Sequence, residues 1–173
     1  QTNYLKVIED LESQYKQVDL SAILYQNKSI KEPYFCRVKQ NDPWDMGSLA
    51  KKILRDIKAA IKSNKTKSFN YHINNTDRSI GASISGHIAK VYGETGLNKP
   101  IQINFNGSAG QSFGCWNANG LHIVLNGDAN DYVGKGMNGG KIVVKNTSDY
   151  AQSSETTLIG NTCLYGATGG EIY

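Results

Sequence analysis

Apolar and polar residues alternate in short runs that recur along the second half of the chain at a fixed distance. Ile101-Gln102-Ile103-Asn104-Phe105-Asn106-Gly107 is followed 20 residues later by Leu121-His122-Ile123-Val124-Leu125-Asn126-Gly127, and 20 later again by Lys141-Ile142-Val143-Val144-Lys145-Asn146-Thr147. Alternation sends Ile101, Ile103 and Phe105 to one side of a strand and Gln102, Asn104 and Asn106 to the other. Between the strands, Ser112-Phe113-Gly114-Cys115 returns as Tyr132-Val133-Gly134-Lys135 and, after 12 extra residues, more loosely as Leu164-Tyr165-Gly166-Ala167.

A period of this length, with short strands and glycine-marked corners, predicts a mainly β fold: a right-handed parallel β-helix, or solenoid, in which each unit forms one coil. Stacked at the ~4.8 Å spacing of neighbouring strands, Ile103, Ile123 and Val143 form one interior column in this reading. Asn106, Asn126 and Asn146 then stand above one another at a corner as an amide ladder. Gly107 and Gly127 permit the turn beside it, and Gly114, Gly134 and Gly166 mark a second corner. The alternative is an antiparallel meander of evenly spaced strands, in which the asparagines do not stack.

Upstream the period changes. Tyr4, Leu5, Ile8, Leu11 and Tyr15 predict a short helix over residues 4–17, and residues 18–42 read as an irregular linker. From Trp44 to about Lys62, Leu49, Ile53, Ile57, Ala60 and Ile61 share a helix face, with Asp42 as candidate N-cap and Pro43 in the first turn. The opposite face carries Lys51, Arg55, Lys58 and Lys62, which is either an ordinary solvated face or a surface for an acidic partner. Ser68 to Ile73 reads as a strand, Asn74 to Arg78 as a turn fixed by an Asp77-Arg78 ion pair, and Ile80 to Tyr92 as a glycine-tolerant helix ending at Gly93. Thr147 to Thr157 is polar and aperiodic, a loop bulging from one coil. The predicted organisation is an N-terminal helical extension over residues 1–67 and a β-helix over 68–173.

Bulk properties limit the function classes. A chain of 173 residues forms one domain with an extension and has no room for a second enzyme domain. A net charge of +4 is too mild to imply nucleic acid. Cys36, Cys115 and Cys163 are odd in number and lack metal-ligand spacing, so they read as reduced thiols of an intracellular, cytoplasmic protein. No apolar run approaches the ~20 residues of a membrane span. Gly169-Gly170-Glu171-Ile172-Tyr173 looks like the opening of a further strand, as Gly139-Gly140-Lys141-Ile142-Val143 is, so the expectation is a β-helix truncated at its C-terminus, part of a longer polypeptide.

The short motifs do not assemble into chemistry. Gly134-Lys135-Gly136-Met137-Asn138-Gly139 matches the dinucleotide fingerprint, but a strand comes next where the pyrophosphate needs a helix N-terminus. Gly107-Ser108-Ala109-Gly110-Gln111-Ser112-Phe113-Gly114 lacks the Gly-Lys-Ser/Thr ending of a phosphate loop. Asp128-Ala129-Asn130-Asp131 opens like a calcium loop, yet Tyr132 stands where a ligand belongs; the carboxylates read instead as caps on turn amides or as groups facing a neighbouring domain. His72, His87 and His122 are isolated. No residue is assigned a catalytic, cofactor-binding or metal-binding role, and Trp116 and Tyr132 are left as candidate exposed aromatics.

Gly127-Asp128-Ala129-Asn130-Asp131-Tyr132-Val133-Gly134-Lys135-Gly136 resembles the most characteristic run of the C-terminal β-helix, or GXGXG, domain of the glutamate synthase large subunit. Asn41-Asp42-Pro43-Trp44-Asp45, Thr76-Asp77-Arg78-Ser79-Ile80-Gly81, the Gly107 to Gly114 run and Ile159-Gly160-Asn161-Thr162-Cys163-Leu164-Tyr165-Gly166-Ala167-Thr168 also match in the family's order, from about Pro33 to Tyr173. The resemblance implies a non-catalytic scaffold packed against the central and FMN domains of an enzyme that makes L-glutamate from L-glutamine and 2-oxoglutarate. FMN and an iron-sulfur cluster are expected elsewhere in that parent, with NADH, NADPH or ferredoxin as reductant and a plastid as the alternative compartment in a eukaryote. Three other readings remain: a β-helix subunit of a formylmethanofuran dehydrogenase type complex, a β-helix enzyme acting on polysaccharide, and a binding module whose elongated surface carries exposed aromatics such as Trp116 and Tyr132.

Overall fold

A computed structural model describes residues 21–25, 45–146 and 156–173. The helix expected over 4–17, most of the 18–42 linker, the capping roles of Asp42 and Pro43, Cys36 and most of the 147–157 loop lie outside the described residues. The chain divides into two compact units, Gln1–Pro43 and Trp44–Tyr173. Within the first, helix α1 (Ser21–Leu24) is a single turn in a stretch read from sequence as irregular.

In the second unit, helix α2 (Ser48–Ser63) buries Ala50, Ile53, Ile57, Ala60 and Ile61, the 3.6-residue stripe visible in its sequence. It starts later than the spacing predicts, at N-cap Gly47, whose amide donates to Asp45 Oδ1 at 2.9 Å. Asn64 ends it in the left-handed conformation at φ 48°, a role for which asparagine is the usual substitute for glycine.

Five strands succeed it: β1 (Lys67–Ile73), β2 (Ile101–Ala109), β3 (Leu121–Ala129), β4 (Asn138–Lys145) and β5 (Gly169–Ile172). They form one sheet in chain order, and every neighbouring pair is parallel, which excludes the meander. Parallel strands require crossovers. Between β1 and β2 the crossover contains helix α3 (Ala82–Tyr92) and a 3-10 turn over Gly93–Thr95; the described later crossovers are corners without a helix. The fold is therefore mixed α and β rather than mainly β: α2, α3 and the strands share one hydrophobic core, and α2, placed by sequence in the extension, lies in the unit that holds the sheet. At its centre Phe105 packs between Tyr71, with ring centroids 6.0 Å apart, and Phe113, edge-on at 5.5 Å.

Register keeps the 20-residue period once and then breaks it. Ile103 pairs with Ile123, but His122 pairs with Lys141, so the column continues through Ile142 rather than Val143. Val143 instead stands opposite Val124 on the outer row. A one-residue slip exchanges the two faces of a strand. The three consecutive apolar residues Ile142-Val143-Val144 fit either phase, but Lys141 and Lys145 belong outside, which places Ile142 and Val144 in the core.

One glycine of α3 is not used by its own surroundings. A Cβ on Gly86 would meet nothing within 4 Å, and the position lies mid-helix. Gly86→Ala is expected to raise the unfolding free energy by about 0.5–1 kcal/mol, the helix-propensity difference, measured by urea denaturation.

Candidate functional site

The corners carry the distinctive geometry. After β2, Ser112, Gly114 and Trp116 have φ of 63°, 67° and 53°; after β3, Tyr132, Gly134 and Gly136 have 66°, 66° and 63°. Before β5, Thr162, Leu164 and Gly166 repeat the device at 56°, 58° and 67°, and Ser79 and Gly81 begin it after β1 at 54° and 110°. Alternate left-handed residues turn successive amides toward the neighbouring coil. Ser79 N–H donates to Gln111 O at 2.8 Å, Ser112 N–H to Asp131 O at 2.8 Å and Tyr132 N–H to Asn161 O at 3.0 Å. Gly134 N–H donates to Phe113 O at 2.9 Å and Leu164 N–H to Val133 O at 2.8 Å.

This pattern corrects the sequence alignment of the last corner. Leu164 occupies the place of Gly134, and Gly166 that of Gly136, because Gly136 N–H donates to Tyr165 O as Trp116 N–H does to Lys135 O. The signal was present as Ser-x-Gly-x-Trp, Tyr-x-Gly-x-Gly and Thr-x-Leu-x-Gly, which share a spacing but only part of their glycines.

At the other corner, Asn126 Nδ2 donates to Asn106 Oδ1 at 3.0 Å, the expected ladder bond. Asn146 does not extend it. The slipped register puts Lys145 opposite Asn126, and the Asn146 amide donates to Thr156 Oγ1 at 3.4 Å. A second amide pair not anticipated from sequence, Asn104 Nδ2 to Asn70 Oδ1 at 3.0 Å, joins β2 to β1. Beside the ladder, Ser108 Oγ donates to Asp128 Oδ1 at 2.7 Å, and Gly127 stacks on Gly107 in the left-handed region at φ 148° and 126°. Deeper, fully buried Asn117 donates from Nδ2 to Leu121 O at 2.9 Å and Gly139 O at 3.1 Å.

The remaining candidates are dispersed. Asp131 Oδ1 accepts the Asn161 amide at 2.7 Å and so caps a turn; with Asp128 and Arg78 it lines an open depression of about 740 Å³. Arg78 donates to Gln111 Oε1 at 3.0 Å and Asp77 Oδ2 accepts the Asn74 amide at 2.9 Å, so the expected Asp77-Arg78 pair is replaced by two separate turn contacts. Burial pushes the Cys115 thiol up. Among the described residues no three His, Cys, Asp or Glu side chains are grouped to hold a metal ion. The glycines of the Gly134 to Gly139 run lead into strand β4.

His122 stands opposite Lys141, and Lys141 opposite Glu171, with Lys141 Nζ 2.7 Å from Glu171 Oε2. Burial, then the Lys141 charge, hold the His122 imidazole below its usual pKa, with Glu171 opposing. The unfolded chain therefore takes up that proton first, so stability from His122 is present above the unfolded value of ~6.5 and is lost as pH falls through it. The urea midpoint is expected to drop between pH 8 and pH 5.5, and the drop to shrink in His122→Gln.

Two surfaces stand out. On α2, Lys51 pairs with Asp45 at 2.7 Å and Arg55 Nε lies 3.5 Å from Asp56, while Lys58 and Lys62 extend the exposed basic face. At the corner stack, Trp116 is 57% exposed, and Lys135 Nζ sits between Tyr132 and Tyr165 at 5.3 and 5.9 Å from their ring centroids. Tyr132 is half-buried and Tyr165 exposed.

Residues 48–173 match the family model described as GXGXG motif. The glutamate synthase [NADPH] large chain of Bacillus subtilis is 40% identical over 176 residues, covering 99% of this chain and 11% of the relative. Ferredoxin-dependent glutamate synthase 2 of Synechocystis is 51% identical over 119 residues, 68% of this chain and 8% of the relative. The glutamate synthase [NADH] of Saccharomyces cerevisiae is 38% identical over 172 residues, 98% of this chain and 8% of the relative. The chain thus spans 8–11% of the length of these relatives. No helix among the described residues is long and apolar enough to cross a membrane.

Proposed function

The chain belongs to the GXGXG motif family as a glutamate synthase GXGXG domain, and from that premise we propose that it is a non-catalytic scaffold of its parent enzyme. The parent makes L-glutamate from L-glutamine and 2-oxoglutarate, and this segment packs against its central and FMN domains. In this proposal residues 68–173 wind as a right-handed parallel β-helix, preceded in sequence by the extension of residues 1–67, whose helix α2 packs into the same core. The parallel strand order and the repeated corners support this reading.

The observation that carries the proposal is where the polar groups of the corners go. Asn106 with Asn126, Ser108 with Asp128, and Asn117 with Gly139 O bind one coil to the next, which stiffens the stack. The cofactors of the parent do not fit these residues. An iron-sulfur cluster needs converging thiolates, whereas Cys115 is buried in the core; a flavin phosphate is poorly served by glycines that lead into β4 rather than a helix. In the same proposal FMN and the cluster belong to other domains of the parent, neither nucleic acid nor membrane is a partner, and the setting is cytoplasmic or plastid.

The relatives favour this over a formylmethanofuran dehydrogenase type subunit. A polysaccharide enzyme needs free carboxylates along a groove, and Asp128 and Asp131 are each engaged in a structural contact. Calorimetry of this chain is expected to give no saturable heat with FMN or 2-oxoglutarate, and no glutaminase activity is expected. Stoichiometric FMN binding overturns the proposal.

A further inference from the structure

The positive charge of the chain is gathered in one place. Residues 51–67 hold six lysines and Arg55 against a single carboxylate, Asp56, and without that stretch the net charge of +4 becomes −2. All seven cations are exposed. Lys51 meets Asp45, and Asp56 is shared between the Arg55 guanidinium and the Tyr71 hydroxyl, which donates to its Oδ2 at 3.2 Å. Among the described residues, Lys58, Lys62, Lys65 and Lys67 have no carboxylate within ion-pair reach.

A helix face that meets only water ordinarily mixes its signs, because like charges three and four residues apart repel. On α2, Lys51, Arg55, Lys58 and Lys62 follow one another at steps of four, three and four, a row about 16 Å long with no acidic residue in it. The folded chain bears that repulsion, and a facing row of carboxylates relieves it. An α-helix is the element that sets side chains in a line at those steps.

The kind of partner follows from what the face lacks. Ala50, Ile53, Ile57, Ala60 and Ile61 of α2 are already buried in the core, so whatever meets the opposite face is held by charge alone. Lasting interfaces favour aromatic residues, methionine and arginine at their centres and are depleted in lysine, whereas exposed lysines give fast, salt-sensitive encounters. An anionic membrane calls for apolar side chains bordering the cations, and a nucleic acid strand for aromatic rings to stack on. No large apolar side chain of residues 45–67 is exposed, and Tyr71, under Lys52, is buried. We propose that the α2 face transiently binds a separate protein through an acidic helix, whose carboxylates repeat the spacing of Lys51, Arg55, Lys58 and Lys62.

Fluorescence anisotropy tests this with a labelled alanine-rich helical peptide carrying four glutamates at steps of four, three and four. The patterned peptide is expected to bind this chain more tightly than one of the same composition with its glutamates spread round the helix, and to lose most of that affinity between about 20 and 150 mM salt. Lys58→Gln/Lys62→Gln is expected to weaken binding about fivefold, as the loss of two exposed charge pairs. Lys90→Gln/Lys99→Gln removes the same charge from exposed lysines elsewhere and is expected to leave binding nearly unchanged. Glutamine matches lysine in helix propensity, so the fold is kept. Equal binding of the two peptides, equal losses in the two variants, or tighter binding of phosphatidylserine vesicles or a DNA duplex than of the patterned peptide overturns the proposal. Amine acetylation of the full-length parent polypeptide is the second measurement, with Lys58 and Lys62 expected to react at the rate found in this chain. Protection of both lysines there places another domain of the parent on this face, which overturns the separate partner and leaves the scaffold reading standing.

Discussion

Gly127→Ala is expected to lower the unfolding free energy by about 3 kcal/mol or more, the range in which backbone strain and overpacking combine. The residue sits at φ 148°, and an added Cβ would strike the carbonyl oxygen of Gly107, one coil away. Gly107 repeats the arrangement against the Ile73 carbonyl. Parallel strands about 4.8 Å apart leave no depth for a methyl aimed along the stack. Nor is the backbone free to yield, because the Asn106-Asn126 and Ser108-Asp128 bonds hold the register on either side. Urea denaturation of Gly107→Ala and Gly127→Ala beside Gly86→Ala gives an internal contrast: the same chemical change, with opposite signs according to whether a Cβ meets a carbonyl or open space. A loss below about 1 kcal/mol at Gly127 would mean that the coils can part there, against the close stacking described.

The strand pattern was legible because alternation and spacing are local. Ile101 to Phe105 and Leu121 to Leu125 state which face is inside, and the asparagine in each run states the register of β2 on β3. The 19-residue step to β4 was hidden because Ile142-Val143-Val144 satisfies a core in either phase, and only the flanking lysines decide. The corner device was half hidden for a different reason. Left-handed backbone is legible where glycine takes it, as at Gly114, Gly134 and Gly136, but Ser112, Trp116, Tyr132 and Leu164 adopt it with hydrogen bonds to the neighbouring coil. Those bonds are tertiary and leave no mark on composition. The α2 helix was legible as an element, yet its place in the same core as the sheet was not, since an apolar stripe does not name the surface it covers. The unpaired Ser85 hydroxyl and the unfilled space at Gly86 were beyond any sequence signal, because both are defined by what surrounds them.

Asn117→Asp is expected to be as damaging as the glycine substitution, costing about 3 kcal/mol or more near neutral pH. Asn117 is fully buried and gives both protons of its amide to carbonyls, Leu121 O at the start of β3 and Gly139 O in the next coil. Its own carbonyl accepts the amides of Asn138 and Gly139 at 3.1 and 3.2 Å, so a single residue ties the two coils through side chain and main chain. A carboxylate there points negative charge at two carbonyl oxygens with no compensating donor. Burial and that repulsion raise its folded pKa above the unfolded one, so the folded variant binds the proton more tightly and regains stability as pH falls, the reverse of the His122 trend. Asn117→Leu separates the two effects. The Oδ1 atom of Asn117 has no hydrogen-bond partner, so leucine removes two donor bonds and one unsatisfied acceptor together. Its expected cost is about 2 kcal/mol, smaller than that of aspartate and independent of pH. Urea unfolding of both variants near pH 7 and pH 5 measures this. Equal losses for leucine and aspartate at both values would show that packing volume, not the pair of amide bonds, is what Asn117 contributes between the coils.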